Sequence, residues 1–109
     1  WLRGKQISDD LGFLEFRTLW PGKYRNRTNH IHLKVFYQDK EYLCSQLFFP
    51  QNLNDFVDTM YPYNQNYNPI TNRDDPILKY YRGVRGGWPR VSPFGASFIA
   101  TLTIGIKIT

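Results

Sequence analysis

Two histidines separated by a single residue are the most chemically distinctive feature of the sequence. His30 and His32 are the only histidines among the 109 residues. If residues 29–37 form a β-strand, alternate side chains point to opposite faces. His30, His32 and Lys34 then share one face, and the apolar residues between them face a core. Two imidazoles on one strand face suit a metal ion, although such a pair also occurs as a plain surface feature that hydrogen-bonds to its neighbours.

Tyr24 and Arg27 precede the histidines and strengthen the prediction of a metal site. Tyr24 lies six positions before His30, and Pro21-Gly22 predicts a turn that folds it back. A phenolate oxygen together with imidazole nitrogens forms a mixed ligand set suited to high-valent iron. A trivalent cation would ionise the phenol, whose pKa is ordinarily about 10. Arg27 is close enough in sequence for its guanidinium to lie beside the metal without being a ligand.

The run from Pro21 to Val35 resembles the metal-binding segment of the intradiol ring-cleavage dioxygenases, in particular their short secreted-type relatives. The resemblance covers most of the chain and includes a lead-in, a strand with a substrate-side glutamine and a later loop: residues 1–6, Asp9, Gly12, residues 16–18, residues 45–49, Asn72, Asp74 and Asp75. The spacing of tyrosine, arginine, the two histidines and the glutamine is the specific part of this resemblance.

The resemblance implies an iron enzyme with assigned residues. Tyr24, His30 and His32 correspond to ligands of Fe(III), with Tyr24 as the ligand that the substrate displaces. Arg27 corresponds to the residue that stabilises negative charge on the substrate, and Gln46 to the residue that orients it. The implied reaction cleaves a catechol-type ring with O2 and yields a muconate-type diacid. The implied partners are therefore a small aromatic diol and O2.

The ligand set of the family contains two tyrosines, and this chain supplies the second. The first lies upstream of the segment that corresponds to Trp1, so we expect the catalytic core to lack upstream residues here. Five other tyrosines are chemically able to replace it, although no motif singles one out: Tyr37, Tyr42, Tyr61, Tyr63 and Tyr67. The competing hypothesis is a non-catalytic β-sandwich module that binds carbohydrates or aromatic ligands. In that case exposed aromatic side chains would stack on the ligand, with four candidates: Trp20, Tyr61, Tyr63 and Trp88.

Composition limits the classes of partner. The net charge is +5, but the basic residues are scattered, and we predict no nucleic-acid binding. No apolar run approaches the length of about 20 residues that spans a bilayer, so no membrane insertion is expected. The single cysteine, Cys44, lies in an apolar strand and is predicted to be a small core residue or to pair with an upstream cysteine. The family resemblance suggests secretion, and a cytoplasmic location stays open.

The length of 109 residues fits one domain over residues 1–109. The pattern predicts a mainly β fold, an antiparallel β-sandwich with one short helix and long loops. Residues 42–49 are expected to pair with residues 29–37, which would bring Gln46 near the histidines. A helix is predicted over residues 53–60 with Asn52 as its cap. Other elements follow from alternation and turn signals: strands at 1–10, 13–20, 77–81 and 98–109, a loop at 61–76 and a turn at 83–87.

Overall fold

The computed structural model describes residues 3–65, 67–80 and 87–109. The described residues contain four strands, which form two antiparallel hairpins, and two α-helices: β1 (His30–Tyr37), β2 (Lys40–Phe48), α1 (Gln51–Asp58), α2 (Pro76–Tyr80), β3 (Arg90–Phe94) and β4 (Ser97–Thr101). Short 3-10 turns lie at Tyr63–Gln65 and Asn72–Asp74. The prediction of a mainly β, antiparallel fold is confirmed, with a second helix that was not predicted. The β-sandwich arrangement stays a prediction.

The β1–β2 hairpin is the element that positions the histidines. A two-residue turn joins the strands, with Gln38 and Asp39 at φ values of 49° and 63°. Paired positive φ values match the twist of the flanking strands and therefore fix the register. His30 lies opposite Phe48, and His32 lies opposite Gln46. Directly opposed residues share a face, so the hairpin has one polar and one apolar side.

Polar and apolar side chains divide between the two sides of this hairpin. We call the first the histidine face, which contains His30, His32, Lys34, Cys44, Gln46 and Phe48. The opposite side is formed by apolar residues and one serine: Ile31, Leu33, Val35, Leu43, Ser45 and Leu47. Cys44 is exposed on the histidine face. The prediction of a core cysteine is therefore wrong, because the register turns Cys44 to the side that opens to solvent.

The core lies where the end of β2 meets α1. Phe48, Phe49 and Val57 are its buried apolar residues. The ring of Trp20 packs against Phe49 at 4.7 Å and against Phe98 at 5.2 Å between centroids. These contacts join the segment before the histidines to the end of β2 and to the second hairpin. They hold the loop that carries Tyr24 and Arg27 close to β1.

The helix α1 begins earlier than the sequence indicates. Its N-cap is Pro50, whose carbonyl oxygen accepts hydrogen bonds from the N–H groups of Leu53 and Asn54 at 3.1 Å. The helix predicted over residues 53–60, with Asn52 as its cap, therefore lies further toward the C-terminus than the observed helix, Gln51–Asp58. Proline cannot donate to a helix, but it fits at the start, where no donor is needed.

Residues 77–80 are helical rather than extended, so the predicted strand over residues 77–81 is wrong in its described part. The carboxylate of Asp75 accepts hydrogen bonds from the N–H groups of Ile77 at 2.9 Å and Leu78 at 3.3 Å. Pro76 occupies the first helical position, which its fixed φ favours. An Asp-Pro pair is a helix start signal, and here it outweighs the β propensity of the short apolar run.

The predicted strands at both ends of the chain are absent or shorter than expected. Among the described residues of the segments 1–10 and 13–20, none belongs to a strand. Several large apolar side chains there are exposed, including Ile7 and Phe13. The last predicted strand, over residues 98–109, is limited to β4, which ends at Thr101. Apolar alternation produces a strand only where a partner supplies hydrogen bonds.

Of the turn predicted at residues 83–87, only Gly87 lies within the described residues. Its carbonyl oxygen accepts a hydrogen bond from the N–H of Phe48 at 2.7 Å.

In the described ranges, neither α-helix is both long and apolar enough to cross a bilayer.

The buried side chain of Asn54 gives a first prediction about stability. Its oxygen accepts a hydrogen bond from Nε1 of Trp20 at 3.1 Å, and its nitrogen donates to the carbonyl oxygen of Phe49 at 3.2 Å. We expect Asn54→Leu to lower the free energy of unfolding by about 1–3 kcal/mol, because a buried polar group loses its partner. Denaturant unfolding measures this. Asn52→Leu, at an exposed position of the same helix, is the control. Equal stability of the two variants would contradict the assignment.

Candidate active site

A tight turn and the start of β1 bring together three side chains whose nitrogen or oxygen atoms are able to bind a metal ion as donor ligands. The N–H of Arg27 donates to the carbonyl oxygen of Tyr24 at 3.1 Å, and Arg25 within this turn has a φ of 54°. The turn lies after Pro21-Gly22 and directs Tyr24 back toward the strand. The Tyr24 hydroxyl oxygen lies 3.5 Å from Nε2 of His30. The Nε2 atoms of His30 and His32 lie 3.2 Å apart. We call Tyr24, His30 and His32 the donor cluster.

The buried ring of His30 has a fixed tautomer in its neutral form. Its Nδ1 donates to the carbonyl oxygen of Thr28 at 2.7 Å, and a carbonyl oxygen can only accept. Neutral His30 therefore keeps its lone pair on Nε2, directed at His32 and Tyr24. Burial lowers the pKa of His30, and the nearby charges of Arg27 and His32 lower it further, against the opposing effect of the Thr28 hydrogen bond. The neutral form is the one that binds metals.

The lowered pKa of His30 predicts a pH dependence of stability for the metal-free protein. Between the folded pKa and the unfolded value of about 6.5, the unfolded chain binds more protons. The free energy of unfolding should therefore decrease as the pH falls from about 7 toward the folded pKa. Urea unfolding at a series of pH values measures this slope. His30→Gln should flatten it, and an unchanged slope in that variant would show that another group is responsible.

The donor cluster fits an iron ion in part. The Nε2 atoms of His30 and His32 lie only 3.2 Å apart, and Nε2 of neutral His30 carries a lone pair. A metal cation at this point would be coordinated by that lone pair. The third donor is a phenol oxygen, which suits Fe(III). In the part of the chain that the structure describes, no three His, Cys, Asp or Glu side chains lie together so that they could hold a metal ion. Tyr24 is half-exposed, so the donor cluster opens to solvent on that side.

Arg27 and Gln46 lie beside the donor cluster and contact each other. Nη2 of Arg27 donates to Oε1 of Gln46 at 2.5 Å. Gln46 lies opposite His32 in the hairpin, which explains its position next to the histidines. The structure thus brings together all five residues that the sequence selected for the site: Tyr24, Arg27, His30, His32 and Gln46. Their roles as ligands or catalytic groups stay predictions.

Asp75 is a site residue whose role the sequence did not reveal. Its side chain is fully buried, and Oδ2 accepts hydrogen bonds from Nε of Arg27 at 2.9 Å and from the N–H of Thr28 at 2.8 Å. Burial alone would raise its pKa, but the hydrogen bonds from Thr28, Arg27 and Leu78 lower it, so the carboxylate is charged. The carboxylate of Asp75 caps α2 and also forms an ion pair with Arg27.

Asn72 supports the same segment from the other side. Its Oδ1 accepts a hydrogen bond from the hydroxyl of Thr28 at 2.6 Å, and its Nδ2 donates to the carbonyl oxygen of Phe49 at 2.7 Å. Thr28 is therefore held by Asn72 through its side chain and by Asp75 through its backbone. Since the Thr28 carbonyl in turn orients His30, the loop at residues 71–75 determines the orientation of a predicted ligand.

The other tyrosines are placed differently. Tyr37 and Tyr42 contact each other at 6.3 Å between ring centroids, near the far end of the hairpin. Tyr63 donates to the carbonyl oxygen of Trp20 at 2.7 Å, whereas Tyr61 and Tyr67 are exposed. Within the described ranges, only Tyr24 has a hydrogen bond or ring contact with the histidines.

The proposed stacking aromatics do not form one exposed surface. Trp20 is packed between Phe49 and Phe98 and donates through Nε1 to Asn54. The prediction that Trp20 is exposed is therefore wrong. Trp88 contacts Phe48, with ring centroids 5.8 Å apart. Trp88 and Tyr61 are exposed.

The fold is similar to that of known dioxygenases. An intradiol ring-cleavage dioxygenase from Tetranychus urticae matches with a TM-score of 0.87 and 29% sequence identity, over 96% of this chain and 52% of that chain. A crystal structure of a dioxygenase gives the same values. The chain thus spans about half the length of these structures. No protein-family model matches the sequence, and no curated protein matches it.

Fold and motif point to the same family. The structural match extends over 96% of the chain, well beyond the two histidines. Independently, the spacing of tyrosine, arginine, histidines and glutamine resembles that of the family, and these side chains lie together in space. The structural match and the motif together support assignment of the chain to the intradiol ring-cleavage dioxygenase family.

Proposed function

We propose that the protein is a non-haem Fe(III) intradiol dioxygenase that cleaves a catechol-type ring with O2. The observation that carries this proposal is the convergence of the Tyr24 hydroxyl with Nε2 of His30 and Nε2 of His32. These three residues would hold the iron, which when bound supplies the activation of the diol and of O2. The product is a muconate-type diacid, and the role is in the breakdown of aromatic compounds.

The protein side chains have separate tasks in this proposal. His30 presents a lone pair because its other nitrogen donates to Thr28. Tyr24, at the open edge of the donor cluster, is the ligand whose place a substrate hydroxyl takes, and it is able to accept the proton of that hydroxyl. Arg27 places a permanent positive charge beside the ring, where it stabilises negative charge as it develops. Gln46 accepts a hydrogen bond from Arg27 and orients the ring.

The donor cluster supplies three ligands, and we propose that the fourth is a tyrosine upstream of Trp1. Of the tyrosines in the described residues, Tyr24 is the one with a contact to the histidines. The structures that resemble this chain are about twice as long. We propose that in the full-length protein the hairpins described above belong to a complete antiparallel β-sandwich.

Iron content and ring cleavage in the full-length protein test the proposal together. Fe(III) bound by tyrosinate absorbs visible light, so the iron-loaded protein should be reddish. Addition of catechol under air should give O2 consumption and a rise in muconate absorbance, with one O2 consumed for each ring cleaved. Colourless protein without iron, or iron-loaded protein that cleaves no diol, would contradict it. Binding of sugars without iron would favour the module hypothesis.

A further inference from the structure

The carboxylate of Asp75 is held by four hydrogen bonds and touches the guanidinium of Arg27. Oδ2 accepts from Nε of Arg27 and from the N–H of Thr28. Oδ1 accepts from the N–H groups of Ile77 and Leu78. We propose that Asp75 is the positioning residue of the site, which fixes the guanidinium of Arg27 toward the substrate and the ring of His30 toward the metal. This inference rests on the proposed function.

The geometry around Asp75 leaves the carboxylate little freedom. Its two oxygens are bound from opposite segments of the chain. Oδ2 accepts hydrogen bonds from the turn before β1, and Oδ1 accepts them from the first turn of α2. Its side chain is fully buried, so water does not compete for these bonds. An anchor of this kind holds the bound Nε–H of Arg27 in one direction. Because a guanidinium is planar, fixing Nε at Asp75 and Nη2 at Gln46 defines the plane of the whole group.

Anchoring at Nε also leaves donors available for the substrate. A guanidinium has five N–H donors, and the bonds to Asp75 and Gln46 use two of them. The bonds at Nε and Nη2 thus orient the guanidinium of Arg27, and three of its N–H donors are not used by them. A rotating arginine would have to be ordered during the reaction, whereas an arginine that is already fixed stabilises developing charge without that penalty.

A second connection runs from Asp75 to the donor cluster through one residue. The N–H of Thr28 donates to Asp75, and the carbonyl oxygen of Thr28 accepts from Nδ1 of His30. The hydrogen-bond partner of a metal-binding histidine determines its tautomer and ring orientation. Asp75 therefore acts on Arg27 directly and on His30 through the backbone of Thr28. A simple structural ion pair would not join both groups.

The test combines Asp75→Asn and Arg27→Ala in the full-length protein. In the otherwise unchanged enzyme, we expect Asp75→Asn to lower kcat by about 10–100-fold, the usual loss for an outer partner of a site residue, with a much smaller change in KM. In the Arg27→Ala background, the same substitution should lower kcat by clearly less than in the wild-type background, because only the connection through Thr28 to His30 is left to lose. Full additivity of the two substitutions would overturn the proposal, because a merely structural Asp75 would affect both backgrounds equally.

An observation on the metal-free protein separates this inference from the proposed function. A buried Nε–H that donates to a carboxylate exchanges slowly with water, so Arg27 should give a protected Nε–H signal by NMR in the wild type. Asp75→Asn should lose that protection, and protection that persists would overturn the inference whether or not the protein cleaves rings. Absence of ring cleavage in the wild type, with the signal present, would instead contradict the proposed function alone.

Two further variants guard against a trivial outcome. Asp75→Glu keeps the charge but shifts it by one methylene group, so it should remain folded and still lower kcat, which keeps the inference testable if Asp75→Asn fails to fold. Asp74→Asn is the matched control, since Asp74 is exposed and its side chain accepts a hydrogen bond from the Thr71 hydroxyl. Wild-type kcat in Asp75→Glu, or an equal loss in Asp74→Asn, would overturn the assignment.

Discussion

Replacing His32 with alanine is expected to abolish iron binding without weakening the metal-free fold. His32 is exposed, and its Nε2 lies 3.2 Å from Nε2 of His30. Loss of even an outer partner of a metal site reduces affinity by about 10–100-fold, and we expect the loss of a direct ligand to exceed this. An exposed side chain contributes little to packing, so the free energy of unfolding should change by no more than about 0.5 kcal/mol.

His32 is a sharper test than His30, because the two rings differ in their surroundings. His30 is buried and donates to the carbonyl oxygen of Thr28, so His30→Ala would leave a cavity and an unpaired acceptor. Any loss of iron in that variant would be mixed with a loss of stability. His32→Ala separates the two effects. Metal analysis and visible absorption report the iron, and urea unfolding of the metal-free protein reports the fold.

Lys34→Ala is the matched control for this experiment. Lys34 lies on the same face of β1, two residues after His32, and its ammonium group forms an exposed ion pair with Glu41 at 3.1 Å. Exposed pairs of this kind contribute about 0–1 kcal/mol. Iron content should therefore be unchanged in Lys34→Ala. Normal iron content and colour in His32→Ala would rule out the donor cluster as the metal site.

The hairpin that carries the histidines was predictable because its signals are local. Alternation over residues 29–37 assigned the faces, and the expected pairing with residues 42–49 placed Gln46 near the histidines. The structure shows this register, with His32 opposite Gln46. Within a hairpin, side-chain direction and partner follow from sequence spacing alone.

Contacts between distant segments were not predictable from spacing. Arg27 and Asp75 are 48 positions apart, and no local pattern indicates that they form an ion pair. The one available signal was Asp75-Pro76, which starts a helix and would have corrected the strand predicted at residues 77–81. Even that signal would have shown only the cap, since the second oxygen of the carboxylate is used by a turn far upstream.

The ends of the chain show the limit of apolar patterning. Residues 13–20 have a strand-like mixture, yet Phe13 and Leu19 are exposed and the described residues there form no ladder. A strand needs hydrogen-bond partners and a surface to pack on, and its own sequence specifies neither. The aromatic contacts of Trp20 were likewise missed, because Phe49 and Phe98 approach it only in the folded chain.

Replacing Arg27 with lysine should leave iron and colour in place and remove most of the ring-cleavage activity. Lysine keeps the positive charge opposite Asp75, so the loss of stability should stay below the roughly 3–5 kcal/mol that follows removal of one partner of a buried ion pair. An ammonium group on a flexible stem cannot contact Asp75 and Gln46 in one plane as the guanidinium does. We expect kcat to fall by about 10²–10³-fold, the usual effect of removing a preorganised electrostatic donor.

The measurement is ring cleavage of catechol by the full-length protein, with iron content and unfolding followed in parallel. Arg73→Lys is the control, because Arg73 is exposed on the 3-10 turn before Asp75 and undergoes the same chemical change. Wild-type turnover in Arg27→Lys would mean that charge alone is sufficient and that the orientation of the group is unimportant. Loss of iron in that variant would assign Arg27 a role in holding the metal site, because its bond to Asp75 also supports the segment that orients His30.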